Sequence, residues 1–120
     1  MDLAHGTIAW SASSSTAPDD PGNGGYGPAL ATASGLVFHG GTRRPVLRVH
    51  HADGGSLLAS FPLPAGLHAG PITYKLRPDG LQRLVVAPGG HIGLGSPLGD
   101  ELIAYALPSS SVPTPSLPAR

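Results

Sequence analysis

Apolar residues along the chain fall into short runs that alternate with polar positions or fill in completely, and turn-forming residues stop each run. The runs span 29–32, 36–40, 46–51, 57–61, 71–76, 83–87 and 101–107. Their length and their alternation predict strands. Between them stand Ala33-Ser34-Gly35, Ala52-Asp53-Gly54-Gly55 and Arg77-Pro78-Asp79-Gly80. Each supplies Gly, Asp or Pro where a tight reversal needs a positive φ or a fixed one, so hairpins are expected. No segment combines a helical apolar stripe with a cap, so little helix is expected.

A longer pattern overlies the strands. The run Asp2-Leu3-Ala4-His5-Gly6-Thr7-Ile8-Ala9-Trp10 returns in weakened form as His51-Ala52-Asp53-Gly54-Gly55-Ser56-Leu57-Leu58-Ala59, an offset of 49. A second pair agrees: Leu36-Val37-Phe38-His39-Gly40-Gly41 is echoed by Leu84-Val85-Val86-Ala87-Pro88-Gly89-Gly90 at an offset of 48. A repeat of this length made of about four short strands is the size of one β-propeller blade, a small sheet that must stack on neighbours to bury both faces. The expected fold is therefore all-β: a partial β-propeller of about two four-stranded antiparallel blades. Two blades cannot close a ring, so further blades are expected in a parent protein. The propeller portion is placed at 1–108, with a polar, Gly-rich loop at 11–27, and the Ser/Pro-rich tail 109–120 is expected to be disordered.

Composition sharpens this picture. The chain's 18 Gly and 14 Pro exclude long helices, and its one Trp, three Tyr and two Phe leave a thin core of Leu, Val, Ile and Ala. Seven basic residues balance seven acidic ones, so there is no net charge to attract nucleic acid. The absence of cysteine excludes disulfides, thiolate metal sites and cysteine nucleophiles. The N-terminus lacks a signal peptide's basic and apolar regions, and no apolar run is long enough to span a bilayer.

The segment 66–108 resembles the closing region of membrane-bound dehydrogenases that depend on pyrroloquinoline quinone (PQQ), the glucose/quinate/shikimate family of quinoproteins. The similar words are Leu63-Pro64-Ala65-Gly66, His68-Ala69-Gly70-Pro71-Ile72-Thr73-Tyr74, Gly89-Gly90-His91, Gly99-Asp100 and Ala104-Tyr105-Ala106-Leu107-Pro108, in the family's order. Upstream, Gly27-Pro28 and Thr32 to Phe38 resemble the preceding blade, and Asp2 to Trp10 resembles the tryptophan-docking motif. The second copy of that motif departs from the family, with His51 in place of Asp and Ala59 in place of Trp. Ser96-Pro97 departs from the residues usual after the glycine run, and Gly22-Asn23-Gly24-Gly25-Tyr26-Gly27 fits the family's Asn-containing loop only loosely.

The resemblance implies a C-terminal part of a sugar or polyol dehydrogenase that binds PQQ with Ca2+ or Mg2+ and passes electrons to ubiquinone. The parent would lie at the periplasmic face of the bacterial inner membrane, its targeting segment and metal ligands outside this chain. The fragment alone is expected to be inactive, and its partners are the remaining blades, the substrate and ubiquinone. By the same resemblance His91 is the first candidate for a catalytic and cofactor-contacting residue. Gly90 beside it lets the backbone approach a ligand, and an imidazole exchanges a proton near neutral pH. His68 is either a turn-capping histidine or a second pocket residue. Asn23 and Tyr26 would border the pocket, and Asp100 reads as an Asx-turn residue. His50 and His51 are strand neighbours that point to opposite faces, which argues against a shared metal. Arg43-Arg44 before Pro45 reads as a solvated turn. A second class of function stays open, a non-enzymatic propeller repeat serving as a protein-binding scaffold. Ala59 and His51 favour it; His91 and the closing words oppose it.

Overall fold

The turn residues place the hairpins where the strands need them. In the computed structural model, which describes residues 2–12, 27–41 and 43–107, β1 (Leu30–Ala31), β2 (Leu36–His39), β3 (Val46–His51) and β4 (Leu57–Pro62) form one antiparallel sheet in that order. A second antiparallel sheet holds β5 (Ile72–Tyr74), β6 (Arg83–Val86) and β7 (Ile103–Ala106). The only helical element among the described residues is a 3-10 turn at Ile92–Leu94. No helix of the described residues is long and apolar enough to cross a membrane. All seven expected strands are present, with each end within two residues of the expected one. The second sheet has three strands among the described residues where the repeat suggests four. Residues 108–120, with the expected tail, and residues 13–26, with most of the expected loop, lie outside the described residues.

Register explains which side chains meet. Phe38 pairs with Val49 and Leu47 with Phe61, so these four share one face of the first sheet. In the second sheet Leu84 pairs with Tyr105 and Val86 with Ile103. The two faces meet in a single cluster of Leu47, Leu63, Leu67, Leu84 and Val86, with Leu30, Phe38, Ile103 and Tyr105 packed against it. Leu47, Leu67 and Val86 are fully buried, and each such side chain contributes about 2 kcal/mol by leaving water. Phe61 and Tyr105 touch across the interface, ring centroids 5.5 Å apart and tilted by 39°. Each sheet thus buries one face on the other. The opposite face of the second sheet carries Ile72 at 58% exposure and Tyr74 at 38%. This is the pattern of neighbouring propeller blades, and the fold is a partial β-propeller.

The far face of the first sheet is polar, with Arg48 and His50 buried on it. Here the repeat becomes visible in three dimensions. Trp10 donates its indole N–H to the Ala52 carbonyl at 2.7 Å and stacks on His50, centroids 5.8 Å apart. Its ring fills the space over Gly55. The residues that lead to Trp10 form a small turn in which Asp2 N–H donates to the Thr7 carbonyl at 2.7 Å and the Asp2 carboxylate accepts the Ala4 N–H at 2.9 Å. Forty-nine residues on, His51 N–H donates to the Ser56 carbonyl at 2.9 Å, and His51 Nδ1 lies 3.1 Å from the Asp53 N–H and 2.9 Å from its carbonyl. The imidazole thus does the carboxylate's work, accepting the N–H when Nδ1 is bare and donating to the carbonyl when it is protonated. The degraded motif keeps its turn. As expected, His51 is exposed while its strand neighbour His50 is buried. His50 Nδ1 donates to the Gly55 carbonyl at 3.0 Å, and His50 stacks on His39 with centroids 4.9 Å apart. Its Nε2 is buried and has no hydrogen-bond partner among the described residues.

Two outcomes test this packing. Gly54 and Gly55 both have positive φ, +85° and +77°, but a Cβ on Gly54 meets nothing within 4 Å, whereas one on Gly55 runs into the Trp10 ring. Gly54→Ala should therefore cost about 1 kcal/mol, the backbone term alone, and Gly55→Ala about 2–4 kcal/mol, read from urea unfolding midpoints. Equal losses would mean that Trp10 does not dock there. The second outcome concerns acid. Burial lowers the pKa of His39 from the ordinary 6.5, helped by the nearby positive charge of His50 and Arg48 and opposed by its hydrogen bond to the Gly40 carbonyl. The unfolded chain takes up that proton first as pH falls through 6.5, so this part of the stability is full above that value and lost below it. The melting temperature should fall between about pH 7.5 and about pH 5.5, and His39→Phe, which keeps a ring in the stack, should fall less over the same range.

Candidate functional site at the loop end

Antiparallel topology sends the β2–β3, β4–β5 and β6–β7 connections to the same end of the sheets. They are rich in glycine because they run against one another. Gly41 N–H donates to the Leu67 carbonyl, Gly66 N–H to Pro97 at 3.0 Å, Gly90 N–H to Gly66 at 2.8 Å and Gly99 N–H to Gly89 at 3.1 Å. The contacts tie the long β6–β7 connection down onto the segment that crosses from the first sheet to the second. Gly90 is required twice over: its φ is +71°, and a Cβ there would overlap the Pro97 carbonyl. At Gly66 a Cβ would come within 2.7 Å of the Ser96 hydroxyl oxygen and 3.0 Å of His68 Nε2.

This knitting brings His68 and His91 to one place. His68 is half-buried ahead of β5, and its Nε2 lies 2.8 Å from Ser96 Oγ. The same oxygen accepts the His91 N–H at 2.9 Å. His91 has extended backbone (φ −154°, ψ 122°) at the start of the 3-10 turn, and its exposed imidazole lies beside Gly93. Arg43, at the β2–β3 connection, is exposed, and its Nε lies 3.9 Å from the position a Cβ would take on Gly95. The loop end therefore presents two imidazoles and a guanidinium around a glycine-rich backbone. Among the described residues no group of three or more His, Cys, Asp or Glu is arranged to hold a metal ion.

Of the residues singled out by sequence, His68, Gly90 and His91 are together, whereas Asn23 and Tyr26 lie outside the described residues. Asp100 corrects an expectation: it is exposed, and its carboxylate makes no hydrogen bond among the described residues, so the Asx turn does not form. The preceding glycine donates its N–H to the Gly89 carbonyl at 3.1 Å. Ser96 was legible only as a departure from the family's usual residues. It is 6% exposed and holds both histidine loops. No pattern in the sequence pairs it with His68, 28 residues away.

These two stacked blades with a glycine-built loop end define a partial β-propeller. The profile of the PQQ glucose/ethanol/alcohol dehydrogenase β-propeller domain matches residues 1–84, and the chain belongs to that family. It is 40% identical over 86 residues to quinoprotein glucose dehydrogenase A of Acinetobacter calcoaceticus, covering 72% of this chain and 10% of that protein. It is 38% identical over 82 residues to the quinoprotein glucose dehydrogenase of Escherichia coli K12, covering 68% and 10%. It is 34% identical over 90 residues to the glycerol dehydrogenase large subunit of Gluconobacter thailandicus, covering 75% and 12%. The chain thus spans about a tenth of the length of these relatives.

The donor set suits the family's cofactor. PQQ is a flat, anionic quinone, and imidazole and guanidinium groups are donors that such a molecule accepts. Gly90→Ala should loosen the loop end by about 2–3 kcal/mol, since it meets both a positive φ and the Pro97 carbonyl. Native-state hydrogen exchange checks this: the Gly66 and Gly99 amides should lose protection, with those of β3 unchanged.

Proposed function

We propose that this chain is the C-terminal part of a PQQ-dependent sugar or polyol dehydrogenase, oxidising an alcohol or hemiacetal and passing electrons to ubiquinone at the periplasmic face of the inner membrane. The observation that carries this reading is the meeting of His68 and His91 at one hydroxyl, at the glycine-built end of two blades. Relatives named for glucose and for glycerol support the substrate class. Within this proposal the propeller portion occupies 1–108, with the loop 11–27 between the Asp2–Trp10 segment and β1, and the tail 109–120 follows; the two sheets themselves are joined through 63–71.

PQQ, when bound, supplies the two-electron acceptor. The chain's own residues handle the proton and the orientation. His91, exposed at the loop end, accepts the proton of the substrate hydroxyl. Gly90 is assigned beside the cofactor; its missing side chain makes room for the Pro97 carbonyl, which sets the course of the backbone leading to His91. His68 borders the same place, held by Ser96, and Asn23 is assigned to its rim. Ca2+ or Mg2+ would be held by residues outside this chain.

The test compares the 120-residue chain with the longer protein encoded by extending its reading frame upstream. Both are titrated with PQQ and calcium, and dye reduction is followed with glucose, quinate and glycerol. The longer protein should reduce dye and the short chain should not. His91→Asn in the longer protein should lower kcat by about a hundredfold, the lower end of what a positioned proton acceptor contributes. If neither protein reduces dye with any substrate, the scaffold reading takes the lead.

A further inference from the structure

We infer that the cleft between the two sheets is a binding site for a neutral, flat ring with oxygen atoms on opposite carbons, the chemistry of a benzoquinone and its quinol. That this ring is the electron acceptor rests on the quinoprotein reading above; the binding itself does not.

The cleft has a volume of about 360 Å³. Small-molecule sites begin near this size, and it holds one substituted ring. Leu36 and Phe38 form its wall on the first sheet, and Phe61 and Tyr105 meet at its side with ring centroids 5.5 Å apart. The wall on the second sheet is set by register. Thr73 pairs with Leu84 and Leu84 with Tyr105, so these three side chains stand in one row across β5, β6 and β7, and all three line the cleft. Neighbouring strands lie about 4.8 Å apart, which puts the two outer positions about 10 Å apart at the backbone. An aliphatic floor is thus flanked on each side by a hydroxyl. Neither the Thr73 nor the Tyr105 hydroxyl makes a hydrogen bond among the described residues. At the rim, by contrast, Thr32 and Ser34 bond to each other at 2.9 Å.

Charge narrows the ligand further. Arg83 and Ala106 also border the cleft, but Arg83 pairs with Tyr74 and Ala106, and alternation turns that row to the opposite face of the sheet. No charged side chain among the cleft-lining residues therefore faces inward, and an ionic ligand would be desolvated there without a partner. A neutral ring with an apolar middle and an oxygen at each end matches the row. A hydroxyl both donates and accepts, so the row serves the carbonyls of a quinone and the hydroxyls of its quinol alike. In the quinoprotein reading the bound quinone takes two electrons from the cofactor and two protons from solvent, and leaves as the quinol.

The test titrates the full nitrogen-15-labelled chain with the ubiquinone ring lacking its isoprenoid tail. The chain has no cysteine, so addition of a thiol to the quinone cannot imitate binding. The amides of Phe61, Thr73, Leu84 and Tyr105 should shift and saturate with a Kd of about 0.1–1 mM, as befits a ligand of this size. Those of Gly90 and His91 should stay in place, and benzoate, a charged ring, should not bind. Tyr105→Phe keeps the ring beside Phe61 and should weaken binding about fivefold, the worth of one hydrogen bond. Thr73→Val removes the other hydroxyl and gives the same reading if Tyr105→Phe does not fold. No shifts, shifts gathered at the loop end, equal shifts with benzoate, or unchanged binding in a folded variant would each overturn the inference. So would dimerisation through the cleft, or contacts from residues 108–120 to Phe61 in the free chain, since either gives the cleft another occupant. In the longer protein Tyr105→Phe should raise the KM for the quinone as acceptor about fivefold. Dye reduction by a longer protein that does not bind the quinone would sink this inference and spare the proposed function. Saturable quinone binding without dye reduction would do the reverse.

Discussion

One constraint governs the structure: a small twisted sheet with two apolar or half-apolar faces cannot satisfy both of them alone. The first sheet covers one face with the second, through Leu47, Leu63, Leu67, Leu84 and Val86. Everything else follows from how that stack is held in register. The crossing segment from β4 to β5 must carry the chain from one sheet to the next without spending side-chain volume, so Leu63 and Leu67 point into the core while Gly66 lies flat against the neighbouring connection. The site is made of the same segment. His68 stands one residue past the last core leucine, and its position is set by the packing of the blades.

The strands and the repeat were legible because their signals are local. Val46 to His51 reads as a strand from alternation and its bounding turns, and it is one. The period of 49 survives as matched hydrogen bonds in the turns that begin at Asp2 and His51. His91 and Gly90 were singled out by resemblance to the family; the structure shows at Gly90 a positive φ and a close approach to the Pro97 carbonyl. Ser96 was not legible, since its importance comes from a contact made only when two loops from different sheets meet. Asp100 was misread for the opposite reason. A Gly-Asp pair carries a strong local expectation of a turn, yet the backbone at Gly99 is bonded across to Gly89 and Asp100 is exposed and outside any turn.

The altered second docking motif shows how such a stack tolerates loss. Trp10 fastens onto the first sheet by a hydrogen bond to Ala52, a stack on His50 and a seat over Gly55. Ala59, the corresponding position one repeat later, has no indole to give. It pairs with Val49 on the face that meets the second sheet, two residues before Phe61. The aromatic contact between the sheets is supplied instead by Phe61 and Tyr105. Burial raises the pKa of the Tyr105 hydroxyl above its ordinary value of 10.0.

That substitution is not equivalent in shape. An indole seated on a glycine is a flat plug that excludes its neighbours' side chains, whereas Phe61 and Tyr105 meet at an angle and leave a cleft of about 360 Å³ beside them. Leu36, Phe38 and Leu84 line it, and these belong to the same strands that form the core. The interface between the two sheets is accordingly dense at the loop end, where Leu67 and Val86 are fully buried, and open beside the Phe61–Tyr105 contact. The backbone hydrogen bonds between connections gather at the end where the histidines are. The loss of the second tryptophan is therefore compatible with an ordered site: the bonds that fix His68 and His91 run through Gly66, Ser96 and Pro97, none of which depends on position 59.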